Sequence, residues 1–125
     1  MFHLLLVMLG GAIGAGARHL TGRATLAWFG PGYPWGTLAV NLIGGFLMGM
    51  LVGNLARFGQ GGEQWRLLLG VGVLGGFTTF SAFSLDTMLM LQRGDWLPAL
   101  GYILLSVVGS VAALALGLGL TKVIA

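Results

Sequence analysis

A chain of 125 residues, 57% of them hydrophobic and only 7% charged, has too little polar surface to cover its apolar bulk in water, which excludes a soluble domain. Six Lys and Arg against three acidic residues give a net charge of +3, but they are scattered and adjoin the ends of apolar runs, so they suit lipid headgroups and exclude a nucleic-acid surface. Cysteine is absent, and with it disulfides and thiolate metal sites.

A bilayer core about 30 Å thick needs roughly 20 mostly apolar residues per helix. Four such stretches, Phe2–Leu20, Thr37–Leu55, Trp65–Leu91 and Trp96–Leu120, predict an all-α membrane protein whose residues 1–125 form a single four-helix transmembrane domain. The connections are too short to hold a further domain. The first stretch imitates a signal peptide, with "LLLVMLG" as an apolar core and "AGA" as a cleavage site. No Lys or Arg precedes it, so we read it as a retained helix. Gly10, Gly14 and Arg18 recur every four residues along it and predict a packing face. Arg18 either snorkels to the interface or pairs with a carboxylate such as Asp86.

In the second span Thr37, Asn41, Gly45, Gly49 and Gly53 share one helical face. The glycines at this spacing predict close helix packing. Asn41 reads either as interhelical glue or as a donor lining a pore, because an amide at that depth must find a partner or face water.

The third span is interrupted by "GGFTTFS" near its middle. Non-helical backbone within a bilayer is tolerated only where protein buries it or water reaches it. A helix that stops around Gly75 to Thr79 and restarts exposes carbonyls at one end and amides at the other, and such ends suit cations and anions respectively. The competing reading is a simple kink relieved by the Thr78 and Thr79 hydroxyls. Phe80 and Phe83 follow, three apart on one face, and ring edges can solvate an anion weakly without a trapping charge. In the fourth span Tyr102, Ser106 and Ser110 align at four-residue spacing and point to a polar track opposite Asn41 and Thr37.

With four spans both termini lie on one side. One face takes Arg57, Arg66 and Lys122, and the other Arg18, Arg23 and Arg93. Three against three gives no orientation bias, so the charge pattern allows insertion both ways and an antiparallel pair of copies.

"GGFTTFSAFSLD", together with "GTLAVNLIG" at Gly36 to Gly44 and "YILLSVVGS" from Tyr102 to Ser110, resembles the Fluc (CrcB) fluoride channels over the whole chain. The resemblance implies an antiparallel dual-topology homodimer in the bacterial inner membrane, with two pores that pass fluoride passively down its electrochemical gradient. It implies Asn41, Phe80 and Phe83 as pore residues, with Thr37, Ser81, Tyr102, Ser106 and Ser110 as further polar positions. It also implies a structural sodium ion on the backbone carbonyls of Gly75 and Thr78. Ala82 and Asp86 depart from the family's frequent threonine and glutamate. The remaining readings are a proton-coupled exporter, for which Asp86 is the single candidate carrier, and a non-transporting scaffold in which the stripes serve packing. An enzyme is not expected: His3 and His19 lie at helix ends, no nucleophile elbow is present, and no second carboxylate accompanies Asp86.

Overall fold

The computed structural model describes residues 1–56 and 62–124. Arg57, one of the charges counted above, lies outside the described residues. Helix α1 (Phe2–Phe29) turns at Gly30–Pro34 into α2 (Trp35–Leu55). The third span comprises α3 (Gly62–Trp65), a π-helical segment (Arg66–Leu74), α4 (Gly75–Phe77) and α5 (Phe80–Gln92), and α6 (Trp96–Ile124) completes the chain. Among the described residues, four helical spans are long and apolar enough to cross a membrane. Their outer faces carry leucine, valine and phenylalanine side chains that are more than half exposed, as a lipid solvent permits.

Helix α1 runs nine residues past the expected end at Leu20. At 1.5 Å per residue it is about 42 Å long, more than the hydrocarbon core requires. Its polar end stays helical because Thr21 and Thr25 return their hydroxyls to the Ala17 and Thr21 carbonyls, both at 2.9 Å. The turns then rest on two glycines with positive φ, Gly30 at 78° after α1 and Gly94 at 85° after α5.

Helix α2 packs most extensively on α6, and α1 packs on the π-helical segment and α4. Both seams bring backbone against backbone. A Cβ on Gly49 would enter the Leu114 carbonyl, and one on Gly117 would enter the Phe46 carbonyl. Across the other seam, a Cβ on Gly14 would enter the Val73 carbonyl, and one on Gly10 would sit 2.9 Å from the Gly72 Cα. Without a hydrophobic drive between helices in lipid, such close approach supplies the packing. The π-helical segment closes with the Gly75 N–H on the Gly70 carbonyl, one residue wider than an α turn.

Gly49→Ala is therefore expected to lower stability by about 1–3 kcal/mol through overpacking. Gly119→Ala, which meets no atom within 4 Å, leaves it unchanged or slightly raised. Thermal unfolding of the two variants in detergent checks the contrast.

Candidate functional site

The third span leaves helical geometry at two residues only, midway between Gly62 and Gln92. Thr78 (φ −86°, ψ 160°) and Thr79 (φ −154°, ψ 122°) are extended, whereas Gly75 keeps helical angles (φ −62°, ψ −38°). The interruption thus falls on the threonines, and of the two glycines before it Gly76 serves packing: a Cβ there would stand 2.6 Å from the Gly11 carbonyl.

Two extended residues leave backbone groups unserved by either half-helix. Thr78 donates both its N–H and its hydroxyl to the Leu74 carbonyl, each at 3.0 Å, closing the first half. The Thr79 hydroxyl accepts the Ala82 N–H at 3.1 Å and caps α5. The Thr79 peptide groups go to Asn41. Its Oδ1 accepts the Thr79 N–H at 2.8 Å, and its Nδ2 donates to the Thr79 carbonyl at 3.0 Å. Arg18 Nε donates to the Gly76 carbonyl at 3.1 Å, so this arginine stops the carbonyl end of the first half and does not pair with Asp86.

Asn41, Phe80, Phe83, Ser106 and Ser110 line one groove of about 430 Å³ beside the interruption. Phe80 is 78% exposed, and Phe83 is buried behind it, with ring centroids 5.5 Å apart. Phe83 lies in turn 5.2 Å from the fully buried Tyr102 ring. Ser106 does not return its hydroxyl to the carbonyl four residues back. Among the described residues its Oγ is buried in the groove wall with no hydrogen-bond partner. That arrangement typically costs about 1–3 kcal/mol.

Of the other residues expected at the site, Tyr102 sits beneath the groove and donates its hydroxyl to Asp86 Oδ2 at 3.0 Å. Thr37 lines a separate cavity of about 370 Å³ with Asp86 at one end of the bundle. Ser81 is exposed and lies 3.2 Å from the Thr79 hydroxyl, outside the groove lining. The Gly75 and Thr78 carbonyls take no donor among the described residues, and the side of Gly75 is open, a Cβ there meeting nothing nearer than 3.6 Å. No group of three or more potential His, Asp or Glu metal ligands occurs among the described residues.

Thr79 and the Arg18 contact were not among the sequence-derived site residues. The first had a readable signal, a threonine immediately before "FSA", which is an N-cap pattern. The second had none, because nothing in the sequence ties Arg18 to a carbonyl 58 residues away.

The groove is walled by aromatic rings and hydroxyls and carries an amide and no cation in its lining, and the sequence that builds it matches a known family. The model described as CrcB-like protein, Camphor Resistance (CrcB), aligns with residues 5–118. This chain belongs to the CrcB family. Three relatives carry the name fluoride-specific ion channel FluC. The Mesorhizobium japonicum protein is 55% identical over 122 residues, covering 98% of each chain. The Sphingopyxis alaskensis protein is 55% identical over 122 residues, covering 98% of this chain and 97% of its own. The Phenylobacterium zucineum protein is 59% identical over 120 residues, covering 95% and 94%. The CrcB chain is accordingly a multi-pass membrane protein.

In this CrcB chain Asn41→Asp replaces the donor to the Thr79 carbonyl by a second oxygen. It is expected to cost about 1–3 kcal/mol of stability. Ser106→Ala removes a hydroxyl that has no partner and leaves stability equal or higher. Unfolding midpoints in detergent test the opposite signs.

Proposed function

We propose that this protein is a fluoride channel that passes the anion passively and electrogenically and so relieves fluoride toxicity. The observation that carries the reading is the buried Ser106 hydroxyl, which has no hydrogen-bond partner among the described residues and belongs to a residue that lines the same groove as Asn41 and Phe80. The family and the names of the relatives support it.

Fluoride is small and strongly hydrated, and a bare ion in a medium of low dielectric loses tens of kcal/mol of solvation by a Born estimate. The groove holds replacements that bind without trapping. Asn41 commits one amide proton to Thr79 and retains a second. Ser106 retains its hydroxyl proton. Phe80, largely exposed, can present the positive edge of its ring. None of these carries a formal charge, and conduction requires that the ion leave as readily as it enters. A proton-coupled exporter would need a free carrier, whereas the Asp86 carboxylate accepts the Tyr102 hydroxyl.

One chain presents half of a passage, since Phe80 stands open to the outside. We take the working unit to be an antiparallel dual-topology homodimer in the bacterial inner membrane, with two pores each walled by both copies. The free Gly75 and Thr78 carbonyls at the negative end of the first half-helix fit a sodium ion shared between copies. Bound there, sodium would supply positive potential and tie the two interruptions together.

Liposomes loaded with potassium fluoride are expected to release fluoride only after valinomycin is added, with chloride retained. Release that needs a pH gradient in place of valinomycin contradicts the channel reading. Phe80→Ile and Ser106→Ala each reduce the efflux at least about tenfold, equivalent to roughly 1.4 kcal/mol of ion stabilisation. Replacing sodium by a bulky organic cation during purification weakens the dimer, as judged by its elution and melting temperature, and indifference to the exchange contradicts the sodium site.

A further inference from the structure

The hydroxyl line on α6 does not end at Tyr102. Its four-residue register, Ser110, Ser106 and Tyr102, continues to position 98, where the chain has proline and thus no hydroxyl. Tyr33, from the turn between α1 and α2, occupies that station. Its hydroxyl lies 3.5 Å from the Pro98 carbonyl, and its ring meets the Tyr102 ring edge-on, with centroids 5.7 Å apart and planes at 85°. On its other side it contacts Trp35 at 4.9 Å.

Tyr33 also lines the open cavity of about 370 Å³ shared by Thr37, Asp86 and Arg93. Ring contacts therefore run without interruption from the groove to this cavity, through Phe80, Phe83, Tyr102 and Tyr33. Within that run the Tyr102 proton is committed to Asp86. The Tyr33 proton is held only by a contact at the outer limit of hydrogen-bond length.

We propose that Tyr33 is a permeation residue, the outermost hydroxyl of the track, donating to a small hard anion as it passes between the end cavity and Tyr102. The inference rests on the channel reading given above. Burial raises the Tyr33 pKa above its ordinary value, so the proton needed for donation is present throughout the physiological range. Tyr33→Phe removes the hydroxyl while keeping the ring that packs on Trp35 and Tyr102.

The test measures valinomycin-triggered fluoride efflux from liposomes containing the wild type, Tyr33→Phe, Pro98→Ser, and the double variant, together with the melting temperature of each. Tyr33→Phe is expected to lower efflux at least about tenfold, the usual weight of a hydrogen bond to a charged group, with an unchanged melting temperature. Pro98→Ser restores the missing hydroxyl at its helical register position, and the double variant is expected to recover most of the flux. Tyr33→Phe efflux equal to the wild type overturns the proposal. A fall that Pro98→Ser does not restore assigns Tyr33 to packing and overturns it too. A wild type that carries no fluoride fails the channel reading itself, separately from any comparison among the variants.

Discussion

The carboxamide of Asn41 donates to the Thr79 carbonyl and accepts from its N–H, and the rest of the site depends on that two-way contact. The Thr79 N–H has no carbonyl to meet in either half-helix and lipid cannot solvate it, while the Thr79 carbonyl opens α5 as its N-cap and keeps a second lone pair to satisfy. Asparagine meets both needs with one planar group; aspartate would supply no donor, and serine could not span both atoms with one oxygen. Once Thr79 is fixed, its hydroxyl caps α5, and α5 sets Phe80 and Phe83 beside Ser106. The interruption is therefore a held structure. Its two threonines, one arginine and one asparagine satisfy most of the backbone that the break exposes.

What is left unsatisfied carries the functional argument. The Ser106 hydroxyl, the second Asn41 amide proton and the Gly75 and Thr78 carbonyls have no donor or acceptor to meet among the described residues. A sequence selected for stability alone would not keep the buried Ser106 hydroxyl, since a buried polar atom without a partner is costly. Their arrangement is also selective by sign, with donors in the groove and acceptors at the end of the first half-helix. The Arg18 guanidinium lies on the Gly76 carbonyl, where its charge favours anions nearby.

Much of this was legible in the sequence, for identifiable physical reasons. Hydropathy located all four spans, and the four-residue register of Asn41 and of Ser106 with Ser110 placed them in one groove. The same register predicts close helix packing at Gly45, Gly49 and Gly53, and the structure sets all three against α6. Other features were not legible. The end of α1 was set too early because polarity rises after Leu20, although threonine hydroxyls keep that stretch helical. The glycines of "GGFTT" read as breakers, yet they remain helical: the missing side chain of Gly76 admits α1, and the threonines provide the local hydrogen bonds of the break. The π-helical winding of Arg66–Leu74 and the partner of Arg18 arise from tertiary packing, which a periodicity does not encode.

Site-resolved amide hydrogen exchange by NMR in membrane mimetics tests the central contact most directly. Thr79 lies outside any helix, so without Asn41 its N–H would exchange quickly. The account predicts that the Thr79 amide is protected in the wild type and that Asn41→Ala lowers its protection at least about tenfold, the equivalent of one lost hydrogen bond. A Thr79 amide that exchanges rapidly in the wild type, or with the same protection after Asn41→Ala, would contradict it.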